Sequence, residues 1–503
     1  MATATLAPAP IPDGAEHRLP PELVKLTFTV MLGAIMVALD ATMVNVALDT
    51  LARDFATSVA TIQWISTAYL LALAMVIPVT GWAVERFGAR PMWIVSITLF
   101  AAGSMLCGLA WSAGSLIVFR VVQGLGGGMI LPLMQTILAQ AAGPQRLTRV
   151  MAAIGVPAML APVFGPMLGG LIVSDASWRL IFYVNLPICL LALLATRRVR
   201  MPDTKRPAAY RLDLLGLMLL CPALAALIYG LSQAGTHGSF TDKHVVIPIA
   251  AGVVLLLGFA AHALRTRIEP IIDLRLFRAR SFTGASAVVF FIGMAMLGTA
   301  LLLPLYYQQA RGQDALHAGL LLAPQGIGLG VALVLAAKLT DRLGPRAIVL
   351  TGLILTGTST LAFTRVGAHT SMIALSAALV VNGLGTGAAL VPAMASAYKG
   401  LAKSAIARAT SSIRIFQQLG GSFGVAVLAV VLQRRSSGHT DAATLADAFA
   451  HTYWWPVAFA ALALLPALFL PGRSPQPQRN SRISATGTPP AAPTTWRGEP
   501  ASQ

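Results

Sequence analysis

The chain has 503 residues, of which 56% are apolar and 11% charged, with a formal net charge of +18. A soluble protein of this length carries roughly a quarter charged residues and splits into several polar-surfaced domains, so the charges here are too few to cover such surfaces. That excludes a water-soluble globular protein and points to an all-α integral membrane protein with many spans.

Residues 1–25 are rich in Pro and Ala, lack the basic-then-apolar order of a signal peptide, and are expected to form a disordered cytoplasmic arm. Apolar runs of about 18 or more residues reach across the roughly 30 Å of hydrocarbon. Fourteen are expected, at 26–48, 61–82, 92–110, 114–137, 149–173, 180–196, 213–231, 245–264, 282–306, 317–337, 346–364, 371–396, 406–433 and 453–470. The tail, 471–503, is rich in Pro, Ser, Thr and Arg and is expected to be disordered. This order gives a six-helix bundle over 26–196, basic loops and two linker helices over 197–281, and a second six-helix bundle over 282–470.

The first span carries Asp40, the one acid placed inside a span. A carboxylate is costly in hydrocarbon, so it faces a cavity or a partner and marks a proton or substrate path. At 1.5 Å per residue it lies about 12 Å from the outer end of its helix, and Arg120 lies about 9 Å from the outer end of the fourth span, at nearly the same depth. The two can pair directly or through Gln123 and water. Either the carboxylate exchanges a proton as its access changes, or the pair merely pins two helices.

Between the second and third spans stands Gly81-Trp-Ala-Val-Glu85-Arg86-Phe-Gly88-Ala-Arg90, and a copy, Ala337-Lys-Leu-Thr-Asp341-Arg342-Leu-Gly344-Pro-Arg346, stands between the tenth and eleventh. The chain therefore repeats: six helices, two extra, six more. Repeated halves with a site between them are a transporter plan. The glycines allow a tight turn, and Glu85, Arg86, Asp341 and Arg342 can pair across the halves and bias one end state; the arginines also serve as membrane anchors. In the fifth span Gly165 and Gly169 share a face with room for close helix approach. Pro157, Pro162 and Pro166 favour bends, together suggesting a smooth seam between the halves.

Lys and Arg fix the orientation. With the N-terminus cytoplasmic, that side holds about 27 of the 36, the other side about 7, and Arg120 and Arg414 lie within spans. Both ends are thus expected in the cytoplasm, and the basic charge reads as a lipid-facing collar rather than a nucleic-acid surface. Cys107, Cys189 and Cys221 fall in spans with no disulfide framework or metal-ligand spacing. The absence of a Gly-Lys dipeptide and of a His-Glu-x-x-His helix argues against a Walker A ATPase and an intramembrane metalloprotease.

From about Leu26 to Leu470 the chain resembles the major facilitator superfamily, in its fourteen-helix drug:proton antiporter branch. The likeness rests on Leu39-Asp40-Ala-Thr42-Met-Val44-Asn45 in the first helix, Gln63-Trp64 with Tyr69-Leu70 in the second, and the loop at Gly81, with Glu85 where Asp is usual. It continues with Arg120-Val-Val-Gln123-Gly124-Leu-Gly126, Gly155 through Gly165-Pro166-Met-Leu-Gly169-Gly170, and Trp178-Arg179-Leu-Ile-Phe182-Tyr-Val-Asn185. The resemblance implies a proton-coupled exporter of apolar or amphipathic drug-like compounds in a bacterial inner membrane. It implies no cofactor beyond the proton gradient, and no enzyme activity. Asp40 and Arg120 would couple protons, and Met36, Trp64, Tyr69, Gln123, Met159, Gln325, Asn382 and Gln417 are candidates for lining the cavity, since Met and aromatic side chains suit varied apolar ligands. Partners would be the substrate, protons and the bilayer, with a periplasmic adaptor as a candidate and the monomer as the working unit. Rival readings are export of a specific metabolite, lipid or siderophore, and a non-transporting receptor or scaffold.

Overall fold

The computed structural model describes residues 20–202, 212–266, 268, 270–313, 315–367, 370–399, 401, 405–436 and 441–472. The expected N-terminal arm and C-terminal tail fall almost wholly outside them. The described residues form sixteen α-helices. In the first half these are α1 (Pro21–Asp54), α2 (Val59–Phe87), α3 (Ala89–Gly108), α4 (Ala113–Asp175), α5 (Arg179–Tyr183) and α6 (Asn185–Arg197). Then come α7 (Leu214–His237) and α8 (Lys243–Arg265). The second half holds α9 (Arg280–Leu305), α10 (Ala315–Leu320), α11 (Ala323–Leu343), α12 (Pro345–Phe363), α13 (Met372–Tyr398), α14 (Ile406–Ser436), α15 (Ala442–Thr452) and α16 (Trp454–Ala467).

Polar caps start several of these helices where the apolar runs begin. Ser58 accepts from the Thr61 N–H, Ser112 and Ser115 form a capping box, and Asp213 accepts from the Gly216 N–H. Along most helices one face is buried and the other leaves Leu, Ile, Val and Phe uncovered, as a bilayer solvent requires. In α8 only 17% of the apolar window is buried, so this helix lies at the periphery, against lipid.

Among the described residues, thirteen helical stretches are long and apolar enough to cross a membrane. A fourteenth crossing is contained in α4. Its 63 residues would reach about 95 Å if straight, three times the hydrocarbon thickness. Yet Gln123 of α4 bonds Asp40, and a Cβ at Gly165 of the same helix would overlap Thr42. Both contacts fall in mid-α1, so α4 doubles back and supplies the fourth and fifth spans. The last span starts at Ala442, earlier than the expected 453, because Asp441 caps α15 through the Thr444 N–H and the helix pair runs on to Ala467.

The face at which α1 begins and α2 ends is the terminal face; the opposite one is the distal face. Helices α1–α6 pack around two apolar cores, one near Trp93 and one near Ile181, and α9–α16 around two more, near Val349 and Phe449. The halves meet where α2 packs on α14 and α4 on α11, and α7 lies against both α2 and α14. The expected loop at Gly81–Arg90 is smaller than its motif: α2 stays helical through Phe87, and the chain turns at Gly88 alone, with φ 92°. Its copy turns at Gly344, with φ 83°. Only glycine adopts this backbone without strain. Gly81 serves close packing instead, since a Cβ there would meet the Arg408 backbone at 3.2 Å.

Candidate functional site

Asp40 sits on α1, fully buried, at the centre of a closed polar network. Its Oδ2 accepts from Arg120 Nη1 at 2.7 Å. Its Oδ1 accepts from Gln123 Nε2 and from Asn185 Nδ2, each at 2.9 Å. Arg120 Nη1 also donates to Gln123 Oε1 at 2.7 Å, and Nε to the Ile65 carbonyl at 3.5 Å. The guanidinium lies 3.8 Å from the centroid of the Tyr69 ring, a cation–π contact. Ser104 Oγ accepts from both Gln123 and Asn185, and donates to the Phe182 carbonyl at 2.8 Å.

Arg120 and Gln123 are three apart on α4 and so point the same way. Asn185 reaches in because the sixth span breaks between α5 and α6, with Trp178 Nε1 tied to Asp54 Oδ2 at 2.7 Å. Both carboxylate oxygens of Asp40 are thus occupied by donors from α4 and α6. Such a cluster can hold a proton path shut until helices move. Among the described residues no group of three or more His, Cys, Asp or Glu converges to hold a metal.

Direct pairing of Asp40 with Arg120 is thus the geometry, and Gln123 bridges them as well. Ser104 and Asn185 were missed by sequence reasoning; Asn185 stood in the Trp178–Asn185 motif, whereas Ser104 gave no signal. Asn185→Ala is expected to leave Asp40 Oδ1 one donor short and to lower turnover roughly tenfold, the effect of losing about 1.4 kcal/mol from a hydrogen bond to a charged group. Asn185→Gln, which keeps a donor, should recover part of it. Transport rates in reconstituted vesicles check this.

The expected cavity residues separate. Met36, Tyr69 and Gln123, candidates for lining the central cavity, are buried in packed interior in this arrangement. Met36 Sδ accepts from Cys189 Sγ. Trp64 lines a distal chamber of about 470 Å³. Asn382 borders a void of about 20 Å³, room for a single water. It accepts from Gln325 Nε2 at 3.0 Å and donates to Ser359 and Thr360. Gln417 accepts from Arg414 Nη1 at 2.6 Å. The Met159 side chain lies outside the described residues.

At the terminal face Glu85 Oε1 accepts from Arg408 Nε at 3.0 Å, joining α2 to α14 with both side chains nearly buried. Arg408 was missed, having been counted among the loop cations. Arg86 is half-buried; Arg342 and Arg90 are exposed, the latter donating to the Thr196 carbonyl at 3.4 Å. The Asp341 side chain lies outside the described residues. Gly165 and Gly169 pack on Thr42 and Met43 of α1. The glycine face thus meets α1 inside the first bundle, while the Pro157, Pro162 and Pro166 side chains of the expected seam lie outside the described residues. Gly170 is half-buried on the same arm, and the details of Gly155 and Pro166 lie outside the described residues.

A deeper repeat emerges from the contacts. Gly124, Gly126 and Gly128 of α4 have copies in Gly383, Gly385 and Gly387 of α13. Gly124 approaches the Tyr69 carbonyl as Gly383 approaches that of Gln325, and Gly126 meets Phe100 as Gly385 meets Thr356. Under this superposition Gln123 becomes Asn382, Tyr69 becomes Gln325, and Arg120 becomes Leu379. The second half therefore holds a neutral copy of the charged network.

A family model described as Major Facilitator Superfamily matches residues 30–425 and 285–500. The "Multidrug resistance protein B homolog" of Mycobacterium tuberculosis is 39% identical over 437 residues, covering 86% of this chain and 81% of the relative. The "Multidrug export protein EmrB" of Haemophilus influenzae is 30% identical over 422 residues, covering 83% and 82%. Among solved structures, the human organic anion transporter MFSD10 (TETRAN) superposes with a TM-score of 0.63 at 19% identity, covering 90% of this chain and all of that one. At that identity the likeness concerns the fold.

Proposed function

The chain belongs to the major facilitator superfamily, a family of membrane transporters and not of enzymes, and from that premise we propose that it exports small apolar or amphipathic drug-like compounds in exchange for protons. The observation that carries the reading is the sealed Asp40–Arg120–Gln123–Asn185 network in the first half. Relatives named for multidrug resistance and multidrug export support the substrate class.

A fully buried carboxylate beside a guanidinium can exchange its proton only when the helices around it part. Protonation removes the charge that ties Arg120 to α1, so α1 is loosened from α4 while Arg120 keeps Gln123, the Ile65 carbonyl and the Tyr69 ring. Substrate and proton then favour different arrangements of one scaffold, which is all that coupling requires. The working parts are the bundle over 26–196, the linker helices within 197–281 and the bundle over 282–470. Each half is the other's counter-surface at the gate, so a single chain serves as the unit. The decisive experiment is efflux of a panel of dyes and antibiotics from proteoliposomes under an imposed pH gradient. Transport that ignores the gradient for every compound would sink the reading.

Orientation follows from the basic residues: the terminal face is proposed to be cytoplasmic, with Glu85 and Arg408 closing that side. In cells expressing a background without the three native cysteines, a single cysteine at Arg86 is expected to escape an impermeant maleimide. One at Thr236, at the distal end of α7, should react. Labelling at position 86 from outside overturns the topology.

A further inference from the structure

We propose that the distal cavity between α2, α7, α9 and α14 is a binding site for flat, aromatic, amphipathic compounds, with the linker helix α7 supplying one of its walls. The inference rests on the export reading and deepens it by naming a site outside the Asp40 network.

The cavity consists of two chambers, of about 470 and 400 Å³, that share Thr67, Tyr229 and Ser232. Each falls in the range of drug-sized pockets, roughly 300–1,000 Å³. Along α7 the sequence sets Tyr229, Ser232, Gln233 and Thr236 three and four residues apart, so they form one stripe on the distal third of the helix. A helix that only fills space between two bundles has no use for such a stripe, because amides and hydroxyls turned to lipid are costly. All four residues line the chambers.

The aromatic wall is built in place. Trp64 of α2 stacks on Tyr229, with ring centroids 5.6 Å apart and planes 24° from parallel. Gln233 Nε2 donates to the Tyr229 hydroxyl at 2.7 Å and fixes the ring. Trp64 nonetheless stays 41% exposed, leaving π surface open for a further ring. The second chamber is mainly apolar, through Leu70, Leu71, Ile228, Leu297 and Leu301. Among the described residues the two linings hold amides, hydroxyls and the His237 imidazole but no carboxylate. A positive charge there meets π faces and neutral dipoles but no counter-ion, which suits a delocalised aromatic cation or a neutral ring system over a compact ammonium.

The site is also wired to the charged network through one helix. Ile65 and Tyr69 of α2 touch Arg120, while Trp64, Thr67 and Leu70, on another face of the same two turns, line the cavity. A compound that shifts α2 on entering or leaving therefore acts on the contacts that hold Arg120.

Ethidium, a flat aromatic cation, is the probe, and its fluorescence on titration of the purified full-length chain gives the affinity. Trp64→Ala and Tyr229→Ala are each expected to weaken binding about tenfold, as loss of a stacked ring does. Tyr229→Phe, which keeps the ring, should stay within about threefold of the unsubstituted chain. Independently, ethidium should slow maleimide labelling of the Ser232→Cys thiol, and tetrabutylammonium, a cation without a ring, should not. Unchanged affinity in both alanine variants, or no protection of that thiol, overturns the site. Export of other compounds by a chain that does not bind ethidium also overturns it, while leaving the export reading intact. If nothing moves under a proton gradient, the export reading fails, and Tyr229-dependent ethidium binding still upholds the site.

Discussion

Asp40→Asn is expected to bring proton-driven efflux down to passive leak while the folded chain remains in the membrane. The amide has the shape of the carboxylate and keeps an oxygen for Gln123 and Asn185, which now bond the acid at 2.9 Å each. What it lacks is the charge and the acceptor facing Arg120, where its NH2 sets a donor against a donor, and the capacity to release a proton. Removing one partner of a buried pair costs about 3–5 kcal/mol. Part of that is offset here, because Arg120 retains Gln123 Oε1, the Ile65 carbonyl and the Tyr69 ring. Stability should therefore fall less than coupling. Efflux driven by a pH jump in proteoliposomes should drop at least about a hundredfold, because a side chain that cannot release a proton no longer links the gradient to the helix movement. Exchange of labelled for unlabelled substrate without a gradient should persist, because the distal cavity does not include Asp40. Active efflux at the unsubstituted rate would remove Asp40 from the mechanism.

The charged part of the site was legible because charges are rare in spans and helix rise gives their depth. Asp40 and Arg120 met as their depths required, and Gln123 followed from its spacing on α4. Ser104 and Asn185 did not yield to the same reasoning. Neutral polar side chains are common enough in membrane helices that depth alone does not select them, and Asn185 enters only because the sixth span breaks after Tyr183. The distal cavity was half legible. Trp64 was singled out, but Tyr229 belongs to a helix that looked like a spacer, and stacking between the two is a property of the packing.

The fold was legible to the extent that hydropathy reports it. Thirteen crossings among the described residues follow from apolar length, yet nothing in the sequence shows that α4 keeps helical bonding through its reversal. The loop copies at Gly88 and Gly344 revealed the two halves, and their matching φ values support that reading. The second copy, in α4 and α13, has physical content the loops lack. Its glycines hold the fourth helix of each half against the second and third, and the side chain one turn earlier decides what each half can do. In the first half that position is Arg120, against an acid. In the second it is Leu379, fully buried, beside a neutral cluster of Asn382, Ser359 and Thr360. Among the described residues the buried acid–guanidinium pair thus stands in one half of an otherwise repeated frame, and the proposed proton chemistry belongs to that half.

Glu85→Gln is expected to open the terminal face. Glu85 and Arg408 meet at 3.0 Å with 1% and 6% of their side chains exposed, and the pair joins α2 to α14 across the halves. Gly81, one helical turn earlier, lets the Arg408 backbone come close enough for this. In the closed form the substitution removes the charge that Arg408 Nε meets at 3.0 Å; in the open form Arg408 reaches water. A difference of about 3 kcal/mol between these fates moves the equilibrium by two decades toward the open form. Ser411, 2% exposed and packed against Gly81, reports the change. The Ser411→Cys thiol should alkylate slowly with Glu85 present and much faster in the Glu85→Gln background, while the Thr236→Cys thiol at the distal end slows. Substrate affinity should change by no more than the shift in population allows. The double variant Glu85→Gln with Arg408→Gln removes both charges, and a neutral amide pair in a closed interface is nearly cost-free. It should return the Ser411→Cys rate most of the way to its starting value. Equal rates in all three backgrounds, or a double variant more open than the single one, would show that the pair does not hold the gate.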